Sequence, residues 1–287
     1  MTLTPENLIG HLPAQKCTLG CPILDGLLGG GGIPCNSITE IVGESGCGKT
    51  QLCLQLLLSA QLPHSLGGLS ASSLYLHSEL PFPLRRLHHL STTILNHNNN
   101  PLDNILVRPL HSADDLLSLL LRLDSLLLLS PSPLPIKLIV IDSIAVLFRS
   151  EFDNSPAELR RRSNLFFRIA GMLKMQARRF GLAVVVTNQV VDLVESEGVR
   201  VGDLGEMWSS GRRVGAALGM AWASCVNSRL FLSRSDEVVG REGDGELRVR
   251  TRRRIHVVFA PHLPEGSCEY QILREGVFGV RLCVLGT

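Results

Sequence analysis

A chain that carries Gly43-Glu44-Ser45-Gly46-Cys47-Gly48-Lys49-Thr50 has few folds open to it, because this octapeptide meets the phosphate-binding pattern G-x-x-x-x-G-K-[ST] at every fixed position. The pattern works only between a strand and a helix. Before it, Ser37-Ile38-Thr39-Glu40-Ile41-Val42 alternates polar and apolar side chains; after it, Gln51-Leu52-Cys53-Leu54-Gln55-Leu56-Leu57-Leu58 is made of good helix formers. Glycines let successive backbone N–H groups turn inward around phosphate oxygens, and the helix N-terminus adds unpaired donors and its positive dipole end. Gly43 to Thr50 are therefore expected to cradle the phosphates of ATP, with Lys49 reaching the β- and γ-phosphates and the Thr50 hydroxyl ligating Mg²⁺.

Strand and helix signals alternate from about residue 36 to 190, which predicts a mostly parallel sheet with helices on both faces. Strands are expected at 37–42, 73–77, 137–142 and 182–187, and helices at 49–61, 82–95, 112–128 and 156–179, the last closing on Gly181. The connectors Asn96–Pro101 and Ser130–Pro135 are low in complexity and carry no chemistry. After residue 228 the pattern turns to hairpins, with strands at Arg229–Ser233 and Leu247–Ala260 and a turn at Asp244-Gly245, so the sheet should end antiparallel.

Composition narrows the class only a little. The 287 residues allow one large α/β domain or two small ones, and a net charge of +2 does not announce a nucleic-acid binder. The 8 cysteines form no C-x-x-C pair and no zinc-type partner set, which reads as free thiols in a reducing compartment. The N-terminus has neither the basic start nor the apolar stretch of a secretory signal, so an intracellular protein is expected. The run from Leu116 to Leu129 is interrupted by Ser118, Arg122, Asp124 and Ser125 and is too short to span a bilayer.

A phosphate loop needs an acidic group beyond a second hydrophobic strand, to hold the Mg²⁺ shell, and a residue that orients water. Asp142 fits the first need: it ends Leu138-Ile139-Val140-Ile141, where open α/β sheets bind ligands, although a helix cap would also use an aspartate there. Glu79 follows the strand Ser73–His77 and is the candidate for polarising water, an exposed loop glutamate being the alternative. The strand ending at Thr187 leads into Asn188-Gln189, and Gln189 is placed to sense a γ-phosphate.

These residues, in this order, resemble the RecA-type recombinases, and within them the eukaryotic and archaeal branch. Thr18 to Leu28 followed by Gly30-Gly31-Gly32-Ile33-Pro34 is similar to that branch's lead-in, and Val184-Val185-Val186-Thr187-Asn188-Gln189-Val190 to its sensor strand. The resemblance implies a RecA-like P-loop ATPase core over 18–287, preceded by a short segment 1–17, with the family's small N-terminal helical domain absent. It gives Glu79 the catalytic glutamate position, Gln189 the sensor position, and Asp142 a hold on Mg²⁺ through water. Leu263-Pro264-Glu265 resembles the segment that caps a neighbour's adenine in family filaments, which puts Pro261 near a partner's nucleotide. The stretch His77-Ser78-Glu79-Leu80-Pro81-Phe82-Pro83-Leu84-Arg85-Arg86-Leu87 departs from the strand-exchange enzyme and looks like a recombinase paralogue, closest to the X-ray repair cross-complementing protein three type.

The family's two DNA loops are unusual in this chain. The first, Arg149 to Ser155, offers Arg149 and Phe152 to backbone and base but adds Glu151 and Asp153. The second, Val190 to Gly215, sets Asp192, Glu195, Glu197, Asp203 and Glu206 against Arg200, Arg212 and Arg213, so it is net negative and repels phosphate. Arg248, Arg250 and Arg252 share a strand face that suits a phosphate backbone, an acidic partner or a charged sheet edge. Phe167-x-x-Ala170 and Phe180-x-x-Ala183 match the family's self-association pattern but are read as core packing.

The resemblance therefore implies an ATP- and Mg²⁺-dependent paralogue that assists the strand-exchange recombinase in nuclear, and meiotic, double-strand-break repair, within a heteromeric complex containing another recombinase paralogue and with weak DNA binding of its own. An autonomous filament-forming recombinase and a hexameric helicase-type ATPase are the alternatives, disfavoured respectively by the acidic second loop and by the lead-in and sensor-strand matches.

Overall fold

In the computed structural model, the residues described are 15–79, 81–95, 100–129, 132–149, 152, 155–193, 207–241 and 247–281, with side chains described outside 238–249. The fold opens with a two-residue ladder, β1 (Lys16–Cys17) against β2 (Ile33–Pro34), around the short helix α1 (Pro22–Leu27). There follow β3 (Ser37–Gly43), α2 (Lys49–Ser59), β4 (Ser72–His77), α3 (Leu84–Ile94), β5 (Ile105–Pro109), α4 (Ala113–Leu121), α5 (Leu123–Leu128), β6 (Ile136–Asp142), α6 (Ile144–Arg149) and α7 (Pro156–Phe180). The chain continues through β7 (Ala183–Asn188), β8 (Val190–Asp192), β9 (Met207–Ser209), β10 (Arg212–Ala216), α8 (Gly219–Ala223), β11 (Ser228–Arg241), β12 (Leu247–Phe259), β13 (Gly266–Ile272) and β14 (Val277–Val280).

Among the described residues, nine strands form one sheet in the order β14-β13-β12-β11-β3-β7-β6-β4-β5. From β11 to β5 every pairing is parallel, and β11 through β14 are antiparallel. The mostly parallel α/β sheet with an antiparallel C-terminal extension is thus as the sequence predicts. Strands buried on both faces need apolar residues at odd and even positions alike, and here they have them. Tyr75, Leu138, Val140 and Val185 pack in the layer with α2, α3 and the C-terminal strands, while Leu74, Ile139, Ile141 and Val184 pack on the other face with α4 to α8. In that second layer Phe166 is fully buried, with ring centroids 4.6 Å from Phe148 and 5.5 Å from Trp222.

Helix α7 starts at Ser155, whose hydroxyl accepts from the Glu158 N–H, and stops at Gly181 in the left-handed region at φ 68°. The helix expected over 112–128 is instead two helices, because Arg122 leaves helical geometry at φ −105° and ψ 4° and its N–H bonds back to the Leu119 carbonyl at 3.0 Å. Strand β5 was not foreseen. Phe167 also departs from expectation: its ring is 54% exposed on α7, so core packing does not account for it, whereas Ala170 is buried. Arg200, the Asp244-Gly245 turn, Glu151 and Asp153 lie outside the described residues. Among the described residues no helix is long and apolar enough to cross a membrane.

Candidate nucleotide site and its surroundings

Strand β3 delivers Gly43 to the C-terminal edge of the parallel strands, and the loop after it ends where α2 begins at Lys49. Gly48 caps α2 at φ 100°, a region L side chains rarely adopt, and a Cβ there would lie 2.5 Å from Ile272 Cδ1 of β13. Beside it the Tyr270 hydroxyl donates to the Cys47 carbonyl, so the antiparallel strands brace the loop from behind. Lys49 Nζ donates to the carbonyls of Gly43 at 2.6 Å and Glu44 at 3.1 Å. Burial pulls the Lys49 ammonium below the ordinary lysine range, against the pull of Asp142, Cys47 and Glu79.

Asp142 ends β6 and collects three donors. Thr50 Oγ1 at 2.8 Å and Tyr75 Oη at 2.6 Å donate to one carboxylate oxygen, and Thr187 Oγ1 at 2.6 Å donates to the other. Tyr75 and Thr187 come from β4 and β7, the two strands that flank β6. Burial first, and the Asp142 charge next, push the Tyr75 phenol far up, so it remains a donor at any physiological pH. A threonine hydroxyl and a carboxylate 2.8 Å apart beside a half-buried ammonium are hard oxygen donors of the kind Mg²⁺ takes in phosphate-loop sites. The donor set therefore fits Mg²⁺ with ATP.

Glu79 and Gln189 meet directly: Gln189 Nε2 donates to Glu79 Oε1 at 3.0 Å, and Arg149 in turn donates to Gln189 Oε1. All three line a cleft of about 500 Å³ together with Lys49, Thr50 and Asp142. The residues predicted for the nucleotide thus converge, and Arg149, expected on DNA, joins them.

Glu44 is tied to the three-stranded sheet formed by β8, β10 and β9. Ser209 and Ser210 donate to its Oε1, the latter at 2.6 Å, and Arg212 donates to its Oε2 at 3.3 Å. Burial pushes its carboxyl up, but these hydrogen bonds and the Arg234 charge outweigh it and hold the group below the usual range.

A family model for Rad51 matches residues 14–280. The chain belongs to the Rad51 family. It is 52% identical to a protein from Arabidopsis thaliana named DNA repair protein XRCC3 homolog, over 97% of this chain and 98% of that protein. It is 35% identical to the DNA repair protein XRCC3 of Mus musculus, over 93% of this chain and 76% of that protein. The DNA repair protein RAD51 homolog 2 of Mus musculus is 33% identical over 93% of this chain and 76% of its own length. The resemblance to a recombinase paralogue, and to the XRCC3 type among them, is borne out by these identities. Rad51 and RecA proteins in general use ATP with magnesium, which agrees with the donor set.

The residues expected on DNA sit in mixed company. The Phe152 ring is half-buried, stacked 5.8 Å from Phe148 and lying under Arg161 at 5.5 Å. Arg212 ion-pairs with Asp192 at 2.9 Å as well as with Glu44, and Arg213 is exposed on the same strand. Strand β12 keeps part of its charge internally: Arg252 pairs with Glu237 at 2.7 Å and with Glu269, and Arg254 pairs with Glu269 at 3.0 Å. Pro261 is exposed beyond the end of β12.

Sequence reading missed Tyr75, Thr187, Ser209 and Ser210, and also Glu40. Glu40, fully buried in β3, accepts from Asn188 at 2.7 Å, Trp222 at 3.0 Å and Arg229 at 2.6 Å. The only signal for it was a charged residue within the strand that leads into the phosphate loop.

Proposed function

We propose that this Rad51 paralogue binds ATP with Mg²⁺ and acts in nuclear DNA repair by homologous recombination, as one subunit of a heteromeric assembly with another recombinase paralogue. It assists the strand-exchange recombinase on DNA rather than replacing it. The observation that carries the reading is the 2.8 Å contact between Thr50 and Asp142 beside Lys49, in a chain 52% identical to an XRCC3 homologue.

In this reading the loop amides from Gly43 to Thr50 bind the phosphates, and Lys49 leaves its carbonyl partners to meet them. Thr50 and Asp142 hold the metal shell, while Tyr75 and Thr187 keep the Asp142 carboxylate aimed. Bound Mg²⁺ supplies positive charge against the phosphate oxygens. Glu79 orients water for slow hydrolysis, stimulated by DNA, and Gln189 senses the terminal phosphate. The core over 18–287 works as one ATPase unit, with any double-strand-break and meiotic role following from its partners.

Lys49→Ala tests the site. It should abolish or greatly weaken binding of fluorescent ATP while leaving the circular dichroism spectrum and melting profile intact, since Lys49 faces a ligand. Unchanged ATP affinity in the folded variant would refute the assignment.

A further inference from the structure

Among the described residues that line the nucleotide cleft, three are acids, Glu44, Glu79 and Asp142, and two are cations, Lys49 and Arg149. A polyphosphate is an anion, so each cation there matters. Lys49 serves the loop side. Arg149 closes α6 on the wall that holds Glu79 and Gln189, and its guanidinium donates to Gln189 Oε1. Gln189 is thereby held at both ends, its oxygen on Arg149 and its nitrogen on Glu79 at 3.0 Å.

We propose that Arg149 is a cis contact to the terminal phosphate of the bound nucleotide, and that the chain Arg149–Gln189–Glu79 tells a triphosphate from a diphosphate. This rests on the nucleotide-site reading above. Phosphate loops cradle the β-phosphate with their amides, so the γ-phosphate is the group that reaches outward to the side chains beyond the loop. A guanidinium has five donors in a rigid fork and binds phosphate oxygens in pairs. Against an anionic phosphate the guanidinium gains charge–charge attraction and a second, parallel hydrogen bond, neither of which a neutral carboxamide oxygen offers it. A γ-phosphate therefore draws Arg149 off the Gln189 carboxamide, and Gln189 and Glu79 are released together. A diphosphate leaves the chain as it stands. Arg149 would then report the nucleotide state at the residue that opens the first loop, a role distinct from the DNA contact its sequence position suggests.

The experiment compares affinities for a non-hydrolysable ATP analogue and for ADP, each with Mg²⁺, by calorimetry on the wild type, Arg149→Ala and Arg149→Lys. Arg149→Ala should bind the triphosphate analogue about tenfold more weakly, the scale of one hydrogen bond to a charged group, with ADP affinity unchanged within about twofold. Arg149→Lys, keeping the charge and losing the fork, should fall between. Arg149 is exposed, so the substitution should leave the fold intact, which a thermal melt checks. Equal loss for both nucleotides, no loss for either, or a wild type with no preference for the triphosphate would each overturn the proposal. The outcomes separate from the underlying reading: if Lys49→Ala still binds ATP the site itself is wrong, whereas intact Lys49 dependence with an unchanged ratio in Arg149→Ala defeats only the role of Arg149.

Discussion

Arg212 of β10 donates to the phosphate-loop carboxylate of Glu44 at 3.3 Å, while its other terminal nitrogen pairs with Asp192 at 2.9 Å. A residue that the sequence places in a DNA loop thus spends its charge inside the protein, across a sequence separation of 168 residues. The phosphate loop and the sheet next to residues 194–206 are mechanically joined through this pair.

The first prediction follows from that expenditure. In anisotropy titrations of labelled single-stranded DNA across a salt series, Arg212→Ala should leave the slope of log affinity on log salt unchanged. A direct phosphate contact would lower the slope by about 1. A drop of that size would mean that Arg212 leaves Glu44 when DNA arrives.

Glu79 touches Gln189 and lines the cleft, without bonding to Lys49, Thr50 or Asp142 in the described contacts. Glu79→Gln keeps the shape and removes the base. It should retain ATP within about threefold while cutting turnover by a factor on the order of 10² or more, the usual contribution of a positioned base. Wild-type phosphate release from this variant would remove Glu79 from the water-orienting role.

Glu40 and Arg229 are an ion pair at 2.6 Å with side chains 0% and 2% exposed. Removing one partner of such a pair leaves an uncompensated buried charge, and Asn188 and Trp222 lose an acceptor as well. Glu40→Ala should cost about 3–5 kcal/mol in urea unfolding, and Arg229→Met added to it should recover part of that loss. Additive losses in the double variant would contradict the paired account.

Much of the fold was legible because parallel strands buried on both faces, such as Leu138 to Ile141, read as unbroken apolar runs. β5 was not, because it is an edge strand in which only Ile105 is buried and which ends on Pro109, where turn signals dominate. The break at Arg122 hides inside a leucine-rich run that keeps its apolar face on both sides. Lys49, Thr50 and Asp142 were found through local motifs. Tyr75 and Thr187 act only once β4, β6 and β7 stand side by side, and strand order leaves no mark in a linear pattern. The ties of Ser209 and Arg212 to Glu44 were hidden for the same reason, since Glu44 lies far upstream of both.

His256 of β12 shares a 2.9 Å hydrogen bond with the Ser233 hydroxyl, and burial first, Arg254 second, hold its imidazole below the ordinary value of 6.5. With the folded value depressed, the unfolded chain binds the proton first, so this group's stabilisation is present above about pH 6.5 and is lost as pH falls through the folded value. Denaturant midpoints should therefore decline from pH 7.5 toward 5.5, and His256→Asn should flatten that part of the curve. A profile of equal steepness in the variant would assign the acid sensitivity elsewhere.

The last prediction concerns assembly: the isolated chain with ATP should not form long regular filaments on single-stranded DNA, and should become a stable unit when a second recombinase paralogue is added. Three observations motivate it. Segment 190–215 carries five acids, Asp192, Glu195, Glu197, Asp203 and Glu206, against Arg200, Arg212 and Arg213, and Arg212 is already spent on Glu44 and Asp192. Phe152, the aromatic offered to bases by the first loop, has Phe148 and Arg161 against its ring. On β12, Arg252 and Arg254 are neutralised by Glu237 and Glu269. A filament needs many phosphate contacts per protomer to offset the cost of ordering, and among the described residues here Arg212, Arg252 and Arg254 already have acidic partners. Because a nucleotide-bound partner stabilises whichever state it binds, ATP should tighten the contact with the second paralogue and raise the melting temperature of the mixture. Negative-stain electron microscopy of the chain alone decides: continuous helical filaments of ordered pitch would overturn the heteromeric reading in favour of an autonomous recombinase.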